Sequence, residues 1–306
     1  MKIFTWIAAV LLLATACTID KTDYESETDI VVPDTNEFKE VTSIAKDNYS
    51  MSIKALNGHL YKGYNEIRLK ITDIKKQEAI ENIKVTFLPV FTVTEGKQQS
   101  CPHQHEMTFD TKEKIYKGFS VFTTESTSGD WRLDITFVVD NNPIAISFPV
   151  VVDKQSNKNL NMTSFVGNDD VNYIIALVAP IKPKVAENEL VAGIYKLNAN
   201  SDNDNDNDND VLMNAYTSAD DYTLVLDPRM PEPSMGNHSS PNNKDLVQKE
   251  DKLYYGVVNY TMTGNWTLNF ILLNQHGRIL KGTKVPLDFT PGVEGVKSEL
   301  YIDTLF

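Results

Sequence analysis

Cysteine is nearly absent. Cys17 and Cys101 are the two in 306 residues, too few for a disulfide framework, a haem-attachment motif or a paired-thiol redox motif. Positive charge is in deficit. Against 42 Asp and Glu stand 29 Lys and Arg, a formal charge of -13. Such a surface repels nucleic acid and offers no polybasic patch to anionic lipid. Beyond the first residues no apolar run is long enough to cross a bilayer as a helix. Helical periodicity over a dozen residues is hard to find. Histidine is scarce: His59, His103, His105, His238 and His276 sit in no recognisable catalytic frame, and there is no G-x-S-x-G. Carboxylates are abundant enough to leave a glycosidase pair open. Still, a protein of this size and pattern is expected to lack the deep cleft. The expectation is a protein that is not an enzyme.

The first 16 residues, "MKIFTWIAAVLLLATA", carry Lys2 ahead of a short apolar run and read as an export signal, residues 1–16. Ala14, Thr15 and Ala16 precede Cys17, which reads as the acylation site of a lipoprotein; the ordinary alternative is a secretory signal with an incidental cysteine. The acylated reading implies a protein tethered to the membrane through its N-terminal lipid. Its place would be the cell envelope, at the outer membrane, facing periplasm or cell surface. Residues 17–39 are polar and acidic, a flexible tether. They resemble the leaders of lipoproteins on the surface of Bacteroidetes-type bacteria. With Cys17 in the leader, Cys101 has no intrachain partner; an exported lone thiol is buried, paired with another chain or bound to a ligand.

The remainder reads as all-β. "NEIRLKITDI" (Asn65–Ile74), "IKVTFLPVFTV" (Ile83–Val93), "KGFSVFTTE" (Lys117–Glu125), "WRLDITFVV" (Trp131–Val139) and "IAISFPVVV" (Ile144–Val152) are rich in β-branched and aromatic residues. Leu133, Ile135 and Phe137 alternate as one strand face. The second half repeats the plan in the same order. "NEIRL" matches "NELVA" (Asn188–Ala192), and "SCPH" (Ser100–His103) matches "SSPN" (Ser239–Asn242). "YKGFSVF" (Tyr116–Phe122) matches "YYGVVNY" (Tyr254–Tyr260), and "GDWRLDITFV" (Gly129–Val138) matches "GNWTLNFILL" (Gly264–Leu273). The pattern predicts two tandem immunoglobulin-like β-sandwich domains, 40–153 and 164–306, joined by a linker at 154–163. Trp131 and Trp266 are expected to plug the two cores, with Gly129 and Gly264 turning the chain tightly into their strands. The Asp/Asn run at 200–210 cannot pack and is expected to be a disordered loop; it lacks the glycine and distal glutamate of a calcium loop.

Two segments carry soft-metal donors. "DPRMPEPSMGNHSSPNN" (Asp227–Asn243) holds Met230, Met235 and His238 among four prolines that are expected to forbid regular sheet pairing. Thioether and imidazole suit copper, whereas the plainer reading is methionine filling gaps beneath a long crossover. "SCPHQHEM" (Ser100–Met107) carries Cys101, His103, His105 and Met107 at alternate positions. These share one face if the segment is extended. The plainer reading is a buried thiol beside two exposed histidines.

The order of strand, Met/Pro-rich loop with His, Y-x-G-x-x-x-[FY] and G-x-W-x-[LF]-x-[IFL] resembles the FixH/YtkA-like domains of exported bacterial proteins, and more loosely the CopC-type copper-binding sandwich. The resemblance implies an immunoglobulin-like sandwich at the cell envelope, sometimes beside copper handling. Its Met/His loop falls on Met230, Met235 and His238. The first half departs from it, with Phe91, Gly96 and Gln99 near those places. No cofactor is fixed by the sequence; copper is the candidate. The functional expectation is a lipid-anchored envelope protein with a binding or structural role, contacting an envelope protein or a glycan and no nucleic acid. Its alternative is a copper-binding or copper-delivery module.

Overall fold

The computed structural model describes residues 36–94, 96–199 and 209–306. The export signal at 1–16, the acylation site Cys17, most of the acidic tether and most of the Asp/Asn run lie outside the described residues. Among the described residues no helix is long and apolar enough to cross a membrane.

In chain order the first half runs β1 (Phe38–Lys46), β2 (Tyr49–Leu56), β3 (Leu60–Tyr61), β4 (Gly63–Asp73), β5 (Glu78–Ala79) and β6 (Val85–Val93). It continues β7 (Gln98–Gln99), β8 (Thr108–Asp110), β9 (Ile115–Phe122), β10 (Gly129–Val139), β11 (Asn142–Val150) and β12 (Val152–Asp153). One sheet orders β1-β2-β4-β9-β8, with β5 on β4; a second orders β11-β10-β6-β7. Alternation decides which faces turn inward. Leu133, Ile135 and Phe137 on β10 meet Ile67, Leu69 and Ile71 on β4 in one buried cluster, with Trp131 at its end. Burial of such side chains stabilises by about 1.5–3 kcal/mol each.

The second half runs β13 (Met162–Val166), β14 (Asn172–Ala179), β15 (Glu187–Leu197), α1 (Asn209–Met213), β16 (Tyr216–Ser218), β17 (Thr223–Met230) and β18 (His238–Ser239). Then come β19 (Lys244–Gln248), β20 (Tyr254–Asn259), β21 (Asn265–Leu273), β22 (Ile279–Lys281) and β23 (Leu300–Leu305). They form a single 11-stranded sheet, ordered β13-β14-β15-β20-β19-β17-β21-β22, with β16, β18 and β23 on side branches. The sheet curls around one core that contains Trp266, Tyr254, Leu268 and Phe270. Its ends nearly meet. The Asn168 amide donates to the Leu280 carbonyl at 2.7 Å, and the Asn161 side chain donates to the Asp303 carbonyl at 3.1 Å.

This corrects the expected pair of immunoglobulin-like sandwiches. The second half is one nearly closed sheet, and the cause is β19. It pairs with β20 through Lys244↔Val257 and Gln248↔Tyr254, and with β17 through Thr223↔Val247 and Leu224↔Leu246. One short strand thereby carries the ladder from one layer to the other. In the first half the corresponding segment, Cys101–Met107, touches both layers only by isolated bridges, His103↔Ser120 and Thr86↔Glu106, so two sheets stay separate there.

The matched segments nonetheless carry matched bonds. The Asn65 side chain donates to the Tyr61 and Gly63 carbonyls and accepts from the Tyr61 amide. Asn188 does the same with Lys184 and Ala186. Tyr116 donates its hydroxyl to the Ile80 carbonyl and accepts from the Ile83 amide; Tyr254 does so with Ala219 and Tyr222. Both indoles are sealed, and each donates to a nearby carbonyl, Trp131 to Thr124 and Trp266 to Met262. The two glycines before them serve different ends. Gly264 sits at φ +131°, a left-handed conformation that favours glycine. Gly129 is extended, and a Cβ there would stand 2.5 Å from the Thr92 carbonyl oxygen.

The described residues fall in one compact unit. A small apolar cluster joins its halves: Val121 of β9, Ile174 and Ala176 of β14, and Tyr195 of β15, with Phe119 packed beside them.

Candidate functional site

In the second half the Pro-rich stretch is less irregular than expected. β17 continues through Pro228, which stands opposite Leu268 on β21. The chain then reverses, and β18 pairs back on β17 with Met230↔His238 and Arg229↔Ser239. The reversal is closed by the Met235 amide donating to the Glu232 carbonyl and the His238 amide to the Met235 carbonyl. Gly236 and Asn237 follow at φ +62° and +53°, conformations that suit glycine and asparagine. Met230 and His238 are therefore cross-strand partners, with Met235 on the turn between them.

Their surroundings differ. Met230 is sealed in the core, where a Cβ on Gly264 would come within 2.8 Å of its Cε. Met235 is half-buried against the same core. The His238 ring lies edge-on to Trp266 at 6.0 Å between centroids. Its Nε2 is 2.9 Å from the Thr261 hydroxyl, which leaves Nδ1 as the free position. Thr261 has no motif that would have marked it in the sequence.

The same ladder position exists in the first half. Phe91 pairs with Gln99 across β6 and β7, as Met230 pairs with His238, and Gly96 turns the chain at φ +82°. Phe91 stacks obliquely on Trp131 at 5.0 Å. No thioether or imidazole stands at this place in the first half.

The first-half donors lie farther along, on the segment that crosses between layers. Backbone bonds clamp it on both sides. The Gln104 amide donates to the Phe119 carbonyl and the Val121 amide to the Pro102 carbonyl; toward the other layer, the Phe87 amide donates to the His105 carbonyl and the Met107 amide to the Val85 carbonyl. Cys101 is free and buried, its sulfur 3.2 Å from the Ser120 hydroxyl. Burial pushes its thiol up to about 12, so it is neither a thiolate ligand nor a nucleophile as it stands. His103 Nδ1 lies 2.7 Å from the Cys101 carbonyl. Burial holds the His103 ring down to about 4, opposed by that hydrogen bond and reinforced by the neighbouring His105. Met107 turns into the core against Gly118. The two imidazoles are half-buried, not exposed, with centroids 6.3 Å apart.

Among the described residues no group of three or more His, Cys, Asp or Glu is placed to hold a metal. The structure thus separates the donors into two sets: Met230, Met235 and His238 beside Trp266, and the His103–His105 pair with Cys101 turned away into its bond with Ser120.

Exposed apolar residues beside the Pro-rich stretch carried no motif that would have marked them. Residues 283–299 run across it. The Gly295 amide donates to the Pro231 carbonyl, and the Asn237 side chain donates to the Pro286 carbonyl. Along this run Leu287 is 75% exposed, Val296 63%, Val293 55% and Phe289 45%.

No protein family matches the chain, and no curated protein does. Among solved structures, a DUF4785 family protein from Legionella pneumophila is similar at 8% identity and a TM-score of 0.24, covering 76% of this chain and 54% of that one. The chain therefore spans about half the length of that protein. A likeness at this level carries no argument about fold or function. The resemblance to FixH/YtkA-like and CopC-type domains fails on sheet topology. Its motifs are real strand and turn signals, but the second half builds one curled sheet where that family would require a two-layer sandwich.

Proposed function

We propose that this chain is a non-enzymatic protein of the cell envelope with a binding role, and that residues 283–299 together with the Pro-rich reversal beside them form its contact surface. The observation that carries the reading is the cluster of Leu287, Phe289, Val293 and Val296 on one exposed run. Single exposed apolar residues are ordinary, but four exposed along one short run are what an interaction surface calls for. The support is that the run is held by the Gly295 amide donating to the Pro231 carbonyl and by the Asn237 side chain donating to the Pro286 carbonyl, which presents the apolar side chains on a fixed base and lowers the ordering cost of binding. The partner that fits is an envelope protein with an apolar patch of its own; a glycan would call for polar groups around exposed aromatic faces.

The test is photo-crosslinking in cells from a probe at Leu287 or Val296, with Lys70 on the solvent face of β4 as control. A discrete protein adduct from both probes and none from Lys70 is expected. Its loss on introducing Val293→Asp, with an unchanged melting temperature, would complete the case. No adduct at 287 or 296 contradicts the reading.

A second reading has its own observation. Met230 and His238 are cross-strand partners, Met235 lies on the intervening turn, and the Trp266 face is close by. This grouping favours a copper-binding role for the reversal. Titration with Cu(I) and Cu(II) should then show uptake that Met235→Ala and His238→Ala each weaken by about tenfold or more. Uptake indifferent to both variants removes it.

A further inference from the structure

The strongest unabsorbed feature lies on the crossing segment of the first half, away from both surfaces just described. His103 Nε2 and His105 Nδ1 are sealed from solvent, and neither has a hydrogen-bond partner among the described residues. Buried polar atoms are nearly always paired. Two unpaired ring nitrogens on residues two apart, with the rings 6.3 Å centroid to centroid, need a common explanation.

We propose that His103 Nε2 and His105 Nδ1 are the two protein ligands of a low-coordinate site for monovalent copper. The tautomer of His103 is the first support. A carbonyl oxygen only accepts, so the 2.7 Å contact to Cys101 places the proton on Nδ1 and leaves Nε2 as a bare lone pair. Metal-bound histidines are commonly oriented in this way, through a second nitrogen that donates to a backbone carbonyl.

Dimensions are the second support. Two metal–nitrogen bonds of about 2.0 Å each, added to two ring radii of a little over 1 Å, span about 6 Å. The observed 6.3 Å between centroids fits that span. Pre-formation is the third. Backbone bonds to Phe119, Val121, Phe87 and Val85 fix the segment against both layers, so the pair is held before any ion arrives.

The donor set selects the ion. Cys101 is held as a thiol against Ser120. Glu106 is exposed, and its carboxylate lies 3.4 Å from the Lys84 ammonium. What remains is two imidazoles and no carboxylate. Zinc in proteins takes four ligands. Monovalent copper is stable with two and accepts imidazole. The inference does not depend on the contact surface at 283–299 or on the Met230–His238 pair.

The experiment is an anaerobic Cu(I) titration of the full chain against a chromophoric competitor, run on wild type, His103→Ala, His105→Ala and, as control, the exposed His276→Ala. Uptake that depends on both first-half residues is expected in wild type, weakened at least about tenfold by either first-half variant and retained in His276→Ala. X-ray absorption of the loaded wild type should show nitrogen donors without sulfur. If a variant unfolds, ring nitrogen NMR of the wild type decides, because His103 Nε2 and His105 Nδ1 should shift on adding Cu(I). Absence of uptake, uptake indifferent to both first-half variants, sulfur in the shell, or both ring nitrogens unmoved at saturating Cu(I) would each overturn the proposal; unmoved nitrogens would mean a pair bridged by water alone.

Discussion

Two side chains of the crossing segment show how burial sets chemistry residue by residue. Cys101 is sealed and its thiol is pushed up to about 12. It should resist alkylation at pH 8 in the native chain and react within minutes once denaturant is added. Equal labelling in both states would contradict the burial. His103 makes stability depend on pH. Its folded value is about 4, while the unfolded ring titrates near 6.5. Between those values the unfolded chain binds the extra proton, so stability is complete above about pH 6.5 and falls as pH drops toward 4. At about pH 4.5 the loss should be about 2 kcal/mol. Urea midpoints at neutral and acid pH should show His103→Gln with a flatter pH response than wild type; parallel responses would refute this. The alternate spacing of Cys101, His103 and His105 was readable from sequence. That Cys101 would be taken by Ser120 was not, because Ser120 arrives from another strand.

At the scale of elements, the long strands were legible because each buries one or both faces in a regular pattern. Ile83–Val93 and Trp131–Val139 became β6 and β10 almost unchanged. What escaped was β19. "KDLVQ" has one sealed position, Leu246, and otherwise polar or exposed residues, so no periodicity announces it. Pro228 misled in the opposite direction, since a proline inside a run argues against a strand and β17 accommodates it. The glycines facing the crossing segments record the difference between halves. A Cβ on Gly256 would meet the Lys244 carbonyl oxygen at 2.5 Å and Leu246 Cγ at 2.9 Å; on Gly118 its nearest contact would be the flexible Met107 side chain, at 3.4 Å. Gly256→Ala should therefore cost about 1–3 kcal/mol and Gly118→Ala less than about 1 kcal/mol. Chemical denaturation of both variants checks the order, and equal costs would deny the closer approach of β19.

For the whole molecule, the repeat in sequence was a sound guide to local structure and a poor guide to architecture. Asn65 and Asn188, Tyr116 and Tyr254, and Trp131 and Trp266 do the same work in both halves. Yet one half has a pair of separate main sheets and the other a single curled one. Local bonds follow from residues a few positions apart, which a sequence displays. Sheet continuity here turns on whether one five-residue segment forms ladders on both sides, and that depends on partners far along the chain. The same limit applies to the candidate sites. Donor residues could be named from sequence, but their division into a Met230–His238 pair and a His103–His105 pair rests on register. The 283–299 surface was invisible because Pro286, Pro291, Gly292 and Gly295 interrupt its few apolar residues, so their spacing reads as loop and not as a strand or helix face.

Hydrogen exchange of the amides of Lys244–Gln248 in the full chain tests the continuous sheet most directly. If β19 bridges β17 and β20, those amides exchange as slowly as their neighbours in both strands, although Val247 is 53% exposed. Exchange at the rate of an open loop would leave two unconnected layers and contradict the architecture.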